Sequence, residues 1–105
     1  MVPVLQRTEA DQGRAGEMMD GLDQVIDHGI TVEEQLLYLA SHESHTRLRN
    51  ARLPRSASMA LVRYLVGQGF LSEHNVPPDA QGSIVEYLLT FRGADRLQEL
   101  RAERK

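Results

Sequence analysis

The sequence contains no cysteine and no tryptophan among its 105 residues. Without cysteine the chain cannot form a disulfide, build a thiolate metal site or use a thiol nucleophile. It has no run of about twenty apolar residues, so no membrane span is predicted. The opening MVPVLQRTEADQ lacks the basic leader and long apolar segment that are typical of a signal peptide. We therefore expect a cytoplasmic protein that does not associate with membranes.

Signatures of catalysis are also missing from the sequence. There is no phosphate-binding loop, no nucleophile elbow and no carboxylate pair in a recognisable setting. The stretch GQGF at residues 67–70 reads as a helix end, because no strand precedes it as a dinucleotide-binding loop would require. We expect no enzymatic activity and no cofactor.

Positive charge is concentrated in one part of an acidic chain. The formal net charge is -3, yet residues 44–72 carry five arginines and no acidic residue. Residues 1–43 carry nine acids against two arginines, and residues 73–105 are close to balance. A surface that touches the phosphates of double-stranded DNA should gather arginine or lysine and exclude carboxylates. The segment 44–72 is therefore the candidate nucleic-acid interface.

Apolar periodicity predicts two helices in the first half of the chain. Over residues 8–29 the spacing of three and four indicates an amphipathic helix that Gly29 ends. Thr31 and Glu34 have the spacing of a capping box and predict the start of a second helix. Its buried side would hold three leucines and an alanine: Leu36, Leu37, Leu39 and Ala40.

The second half of the chain changes from helical to strand periodicity. Ser44 is a candidate cap for a short third helix, HTRLRNAR, with Leu48 and Ala51 facing inward and Pro54 beyond it. A fourth helix is expected from about Ser56 to Gln68, with Ser58 on its core face and Ser56 as a candidate cap. Two strands around Phe70–Leu71 and 84–90 would then form a hairpin with a long tip, followed by a final helix capped by Thr90.

Two stretches resemble a known family of transcriptional regulators. SMALVRYLVGQGFL is similar to the recognition helix and strand entry of the MarR-like winged helix-turn-helix proteins, and YLLTFRGADRLQEL is similar to their Leu-Thr-x-x-Gly-x-x-x-Leu segment. The resemblance covers roughly residues 44–100 and implies a mainly α (α+β) fold with a two-stranded wing. It implies one domain, 1–105, with a dimerisation helix in 1–30, a winged core in 31–92 and a C-terminal helix in 93–105. The family's wing carries an Asp-x-Arg pattern, whereas this tip reads PPDAQGS.

The resemblance implies a homodimer that binds double-stranded DNA and reads the major groove with the helix from Ser56 to Gln68. Arginines in residues 44–72 can form hydrogen bonds to guanine or to phosphate, and small hydroxyl side chains can contact bases or phosphates. The predicted DNA-binding residues are Thr46, Arg47, Arg49, Arg52, Arg55, Ser56, Ala57, Met59 and Arg63. The predicted dimer contacts are Met18, Met19, Leu22, Val25, Ile26, Leu97 and Leu100.

Other functions remain compatible with the sequence. A winged-helix adaptor or inhibitor that docks on an acidic protein partner is the main alternative, because a fold does not fix a function. A small-molecule effector could bind near Met18, Met19 and Tyr38, although the spacing of these residues is not typical of a site for any particular ligand. His42 and His45 are three residues apart, but a zinc site needs further ligands, and we expect no metal.

Overall fold

The computed structural model describes residues 21–104. They form a small α+β structure with two antiparallel sheets, and residues 21–23 are helical. The further elements in chain order are β1 (Val25–Asp27), β2 (Ile30–Thr31), α1 (Val32–Leu39), β3 (Leu48–Arg49), α2 (Met59–Gly67), β4 (Leu71–Asn75), β5 (Val85–Leu89) and α3 (Phe91–Arg104).

The first predicted helix was wrong at its C-terminal end. The helix does not continue to Gly29, because its described residues end at 23. Strand β1 follows and pairs with β2 in a tight hairpin. His28 and Gly29 form its turn with φ of 47° and 83°, values that a right-handed helix cannot contain. The β-branched pair Val25 and Ile26 favours the strand. Residues 8–20 of that prediction lie outside the described residues.

Helix α1 begins where the sequence predicts. The Thr31 hydroxyl accepts a hydrogen bond from the Glu34 backbone N–H at 3.2 Å, which is one half of the expected capping box. The Glu34 carboxylate does not complete the box, because it binds Arg104 instead, with contacts of 2.6 and 3.1 Å. The cap therefore fixes the helix start, and the carboxylate fixes α1 to α3.

The predicted third helix is absent, and this is the main correction to the expected fold. Residues 44–52 are not helical, and Leu48–Arg49 form a strand that pairs with Glu86–Tyr87. Leu48 is fully buried as expected, but Ala51 is exposed. Two apolar positions three residues apart could not distinguish a helical turn from a strand followed by a turn. Residues 50–58 contain turns and no helix, so α2 has no helical partner directly before it in a helix-turn-helix pair.

Helix α2 starts three residues later than predicted. Ser58 is its cap and accepts from the Leu61 N–H at 3.4 Å, so this side chain does not face the core. Ser56 lies before the helix and donates its hydroxyl to Gln35 Oε1 at 3.1 Å. The buried face of α2 consists of Leu61, Val62 and Leu65.

The predicted hairpin and final helix are confirmed. Strands β4 and β5 pair in register from Leu71 opposite Leu89 to Asn75 opposite Val85, and β3 completes a sheet of order β3-β5-β4. The Thr90 hydroxyl donates to the Gly69 carbonyl at 2.6 Å and accepts from the Gly93 N–H at 2.9 Å. This cap joins the end of α2 to the start of α3.

A leucine-rich core lies between the helices and one face of the larger sheet. Two buried carboxylates of α1, Glu33 and Glu34, meet arginines of α3 at the edge of this core. The guanidinium of Arg96 binds both oxygens of Glu33, at 2.7 and 2.9 Å, and this bonding raises the pKa of Arg96. The largest fully buried apolar side chains are Leu22, Leu36, Leu37, Leu48, Leu65, Val32 and Val62.

Over residues 21–104, each helix is too short or too polar to cross a membrane. The cytoplasmic location stays a prediction.

Candidate nucleic-acid interface

Helix α2 presents a solvent-exposed face that carries positive charge and no acid. Ala60, Arg63 and Gly67 are exposed at spacings of three and four, opposite the buried face of the helix. The small side chains at positions 60 and 67 leave the helix backbone close to the surface. The first turn holds no acidic residue, so the partial positive charge of the helix N-terminus is not neutralised locally.

The register of the larger sheet separates the arginines into two groups. Leu48 lies opposite Tyr87, and both side chains are buried against the helices. Arg49 lies opposite Glu86, one residue along, so this pair projects from the other face of the sheet. The Arg49 side chain therefore points away from the face on which α2 packs.

Three arginines surround two carboxylates on that outer face. Arg49 binds both of them, through Nε to Glu86 Oε1 at 2.8 Å and Nη1 to Asp79 Oδ2 at 3.3 Å. These hydrogen bonds, that of Glu86 first, raise the pKa of Arg49. Arg52 approaches Asp79 at 3.5 Å and Arg47 approaches Glu86 at 3.8 Å. We call these five residues the β3 cluster; its formal charge is one positive unit.

Two of the five arginines in residues 44–72 lie outside the β3 cluster. Arg55 and Arg63 are exposed, and within the described residues 21–104 neither forms an ion pair. The charge of Arg63 also reaches the sheet. Burial and the charge of Glu73 raise the pKa of Tyr87, and Arg63 acts against this increase. We call Arg55 and Arg63 the helix arginines, because Arg63 lies on the exposed face of α2 and Arg55 precedes that helix.

The hairpin tip is folded back onto the chain that follows β3. Asn50 Oδ1 accepts from the backbone N–H groups of Ile84 and Val85 at 2.9 and 3.1 Å. The buried Ser83 hydroxyl accepts from the Ala51 N–H at 3.2 Å. The tip therefore does not project freely as a wing, and it holds residues 50–52 in place of the expected helix.

Asp79 is the side chain that orders the tip itself. Its Oδ1 accepts from the N–H groups of Ser83 and Gln81, each at 2.9 Å, around a turn in which Gly82 has φ of 85°. The Ser83 N–H, followed by Arg49 and Gln81, lowers the pKa of Asp79 to about 2. Carboxylate bonding therefore stabilises the folded tip across the neutral range of pH.

This assignment predicts how the tip responds to acid. A carboxyl whose pKa is lowered on folding stabilises the fold above its ordinary pKa of 3.8 and loses this contribution as pH falls through about 2. We expect the Asp79 carboxyl to titrate near pH 2 by ¹³C NMR and the Gln81 and Ser83 amide signals to shift with it. In Asp79→Asn the two amide signals should stay constant over that range. A carboxyl midpoint near 3.8 would contradict the assignment.

The predicted DNA-binding residues therefore occupy different environments. Thr46 is exposed, while Ser56 is bonded to Gln35, and Ala57 and Met59 pack partly against the core. These residues do not lie along a pair of helices, because the predicted third helix is a strand and a loop.

Most of the predicted dimer contacts do not lie on an open surface. Leu22, Leu97 and Leu100 are buried in the core of the single chain, and Ile26 packs partly against it. This corrects their assignment, since a side chain that fills its own core cannot also contact a second subunit. Val25 is 61% exposed. Met18 and Met19 lie outside the described residues.

The other sites considered from the sequence have little structural support. Tyr38 borders a cleft of about 350 Å³ that Ile26, Ile30 and Arg104 also line. Among residues 21–104 no three histidine, aspartate or glutamate side chains are grouped to hold a metal ion. His42 and His45 lie in the connection between α1 and β3.

Sequence reasoning missed Asp79 and Glu86, which hold the β3 cluster together. They lie 30 and 37 residues from Arg49, so no local spacing connects them to it. Glu86 lies opposite Arg49 only through the pairing of β3 with β5. The sequence analysis also did not single out Phe91, a large apolar residue that is 95% exposed at the start of α3.

The sequence matches no protein-family model, and comparisons with curated proteins and with solved structures found no match. The likeness to MarR-like regulators therefore stays a prediction from the two sequence stretches.

Proposed function

We propose that this protein is a double-stranded DNA-binding regulator of transcription and that helix α2 enters the major groove. In this proposal the chain is a reduced winged-helix module, in which the loop 50–58 takes the place of the helix that normally precedes the recognition helix. The hairpin of β4 and β5 packs beside α2, and its tip supports that loop.

The observation that supports this most is the exposed face of α2. It offers Arg63 and a helix N-terminus without acidic neighbours, and Arg55 lies in the connection just before it. Guanidinium groups at such positions suit guanine or phosphate. Small side chains at Ala60 and Gly67 would let the helix approach the groove closely. The β3 cluster contributes less, because carboxylates already bind its arginines.

Removing the helix arginines tests the proposal. Arg55→Ala combined with Arg63→Ala should weaken binding to a labelled random-sequence duplex by about tenfold or more, because two charge contacts are lost. Fluorescence anisotropy at fixed salt measures this. Arg101→Ala is the matched control, since it removes an arginine of α3 whose partner is the exposed Glu43. The assignment of α2 is wrong if the double variant and the control bind equally well.

A homodimer remains part of the proposal. Two copies would place their α2 helices in successive major grooves of a palindromic site. Of the seven contacts predicted from the sequence, Val25 is the exposed one within the described residues. Sedimentation equilibrium of the full chain, alone and with a selected duplex, measures the stoichiometry directly.

A protein-binding adaptor is the second candidate, and one specific observation favours it. The hairpin tip, residues 76–84, carries no arginine and is folded back onto residues 50–51, so it lacks the free basic wing that would reach the minor groove of DNA. A stoichiometric protein complex that survives nuclease treatment, together with no duplex binding by the purified chain, would support the adaptor and contradict the DNA-binding regulator.

A further inference from the structure

In the β3 cluster one arginine, Arg49, pairs with both carboxylates, and two further arginines share the same two partners. Arg49 alone bridges both acids and is the least exposed of the three arginines, with 22% of its side chain accessible. Arg47 and Arg52 each reach one acid at a longer distance, 3.8 and 3.5 Å, and are more exposed. The cluster therefore has an inner, bridging arginine and two outer, more loosely held ones.

The two carboxylates differ from the arginines in how firmly they are held. Asp79 is fixed by two backbone N–H groups of the tip, and Glu86 is fixed by its strand and by Arg49. Neither acid can follow an outer arginine away from the cluster. An outer arginine can leave, since ion pairs between exposed side chains at such distances contribute little to stability.

We propose that Glu86 and Asp79 act as internal competitors of nucleic-acid phosphate: they hold Arg47 and Arg52 in the free protein and lower its affinity for DNA. The inference rests on the proposed function for its ligand, and it adds the β3 cluster, on the outer face of the larger sheet, as a second contact surface beside the helix arginines. When a duplex binds, the outer arginines exchange carboxylate for phosphate, while Arg49 stays in place and keeps the tip folded. The helix arginines have no such competitor among the described residues and make the first contacts.

This arrangement makes Glu86→Gln an informative variant. The glutamine oxygen can still accept the hydrogen bond from Arg49 Nε, so the inner bond is preserved while the charge that holds Arg47 is removed. We expect duplex affinity to increase by roughly fivefold at moderate salt. The variant loses both the repulsion between the Glu86 carboxylate and the DNA phosphates and the ion pair that competes for Arg47. The dependence of log K on log salt should steepen by about 0.9 for the released arginine.

A matched control separates local competition from net charge. Glu103→Gln removes one negative charge from the exposed end of α3, outside the β3 cluster and away from α2. We expect this variant to bind duplex as the wild type does. Equal tightening by Glu86→Gln and Glu103→Gln would overturn the proposal, because the effect would then be one of total charge. Unchanged or weaker binding by Glu86→Gln would overturn it as well.

A second variant and a second probe keep the test independent of folding and of DNA. Asp79→Asn retains an oxygen for the two tip N–H groups and should release Arg52, with a similar increase in affinity. Inorganic phosphate is the second probe, followed by ¹⁵N NMR of the arginine Nε–H groups. The Arg47 signal should respond at lower phosphate concentration in Glu86→Gln than in the wild type, and the Arg49 signal should not.

The two probes distinguish the failure of each proposal. If phosphate moves the Arg47 signal as expected but no variant binds duplex DNA, the exchange stands and the DNA-binding function fails. In the opposite case, duplex binding depends on Arg55 and Arg63, but Glu86→Gln changes neither the affinity nor the response of the Arg47 signal. That result would support the DNA-binding function and contradict the competition by Glu86.

Discussion

Replacing Gly93 with alanine is expected to lower the free energy of unfolding by about 3 kcal/mol, the upper part of the range for overpacking a core. A Cβ at this position would overlap the carbonyl oxygen of Phe70 and lie 2.7 Å from Leu89 Cδ1. The Phe70 backbone cannot move away cheaply, because its N–H donates to Leu65 and its carbonyl accepts from Thr90. Chemical denaturation monitored by circular dichroism measures the loss.

Gly67→Ala is the matched control for this prediction. Gly67 is the last residue of α2, and an added Cβ there would meet no atom within 4 Å. We expect no loss of stability and a gain of up to about 1 kcal/mol, because alanine favours helix more than glycine does. Equal stability of Gly93→Ala and Gly67→Ala would show that α3 does not pack against Phe70 as described.

Arg96→Ala is expected to cost about 3 kcal/mol of folding free energy, because it leaves a buried carboxylate without its partner. Glu33 is only 3% exposed and receives both of its ion-pair contacts from the same guanidinium. The loss should appear as a lower denaturant midpoint with an unchanged slope, since the same surface is exposed on unfolding.

Two further variants show whether the cost of Arg96→Ala comes from the stranded charge. Replacing Glu33 and Arg96 together with methionine should recover most of the stability, since a buried ion pair is often no better than apolar side chains of similar size. Arg101→Ala breaks an exposed pair with Glu43 and should cost less than about 1 kcal/mol. A cost for Arg96→Ala as small as that for Arg101→Ala would contradict the buried geometry.

The sequence predicted the elements whose signals are local. Each of these signals involves residues within one turn or one strand of each other. They are the Thr31 cap, Gly69 after the end of α2, the residue pattern of each hairpin strand and the Thr90 cap. The Leu-Thr-x-x-Gly spacing also has a physical reason in this chain. Thr90 caps α3 and Gly93 lets the helix approach the Phe70 carbonyl.

Elements that depend on distant residues were predicted wrongly. Leu48 has a buried side chain in either a helix or a strand, and the choice is made by pairing with Glu86 and Tyr87, almost forty residues later. The Asn50 side chain then bonds the hairpin tip and stabilises a turn where a helix was expected. Short-range periodicity does not contain this information.

The candidate site shows the same division. The absence of acids in residues 44–72 marks a basic segment of the sequence, but it does not reveal the acids that reach this segment from elsewhere in the chain. Asp79 and Glu86 contact that segment only because the hairpin folds over β3. A count of charge along the sequence therefore overestimated how many arginines are available to a phosphate.

The most direct test of the central claim is the salt dependence of duplex DNA binding by the wild type and by the Arg55→Ala, Arg63→Ala double variant. We expect a log–log slope between about -2 and -4 for the wild type, reduced in magnitude by nearly 2 in the double variant, because each arginine that contacts a phosphate contributes about 0.9. The same slope for both proteins, or no measurable duplex binding at low salt, would contradict the claim that the α2 face binds DNA.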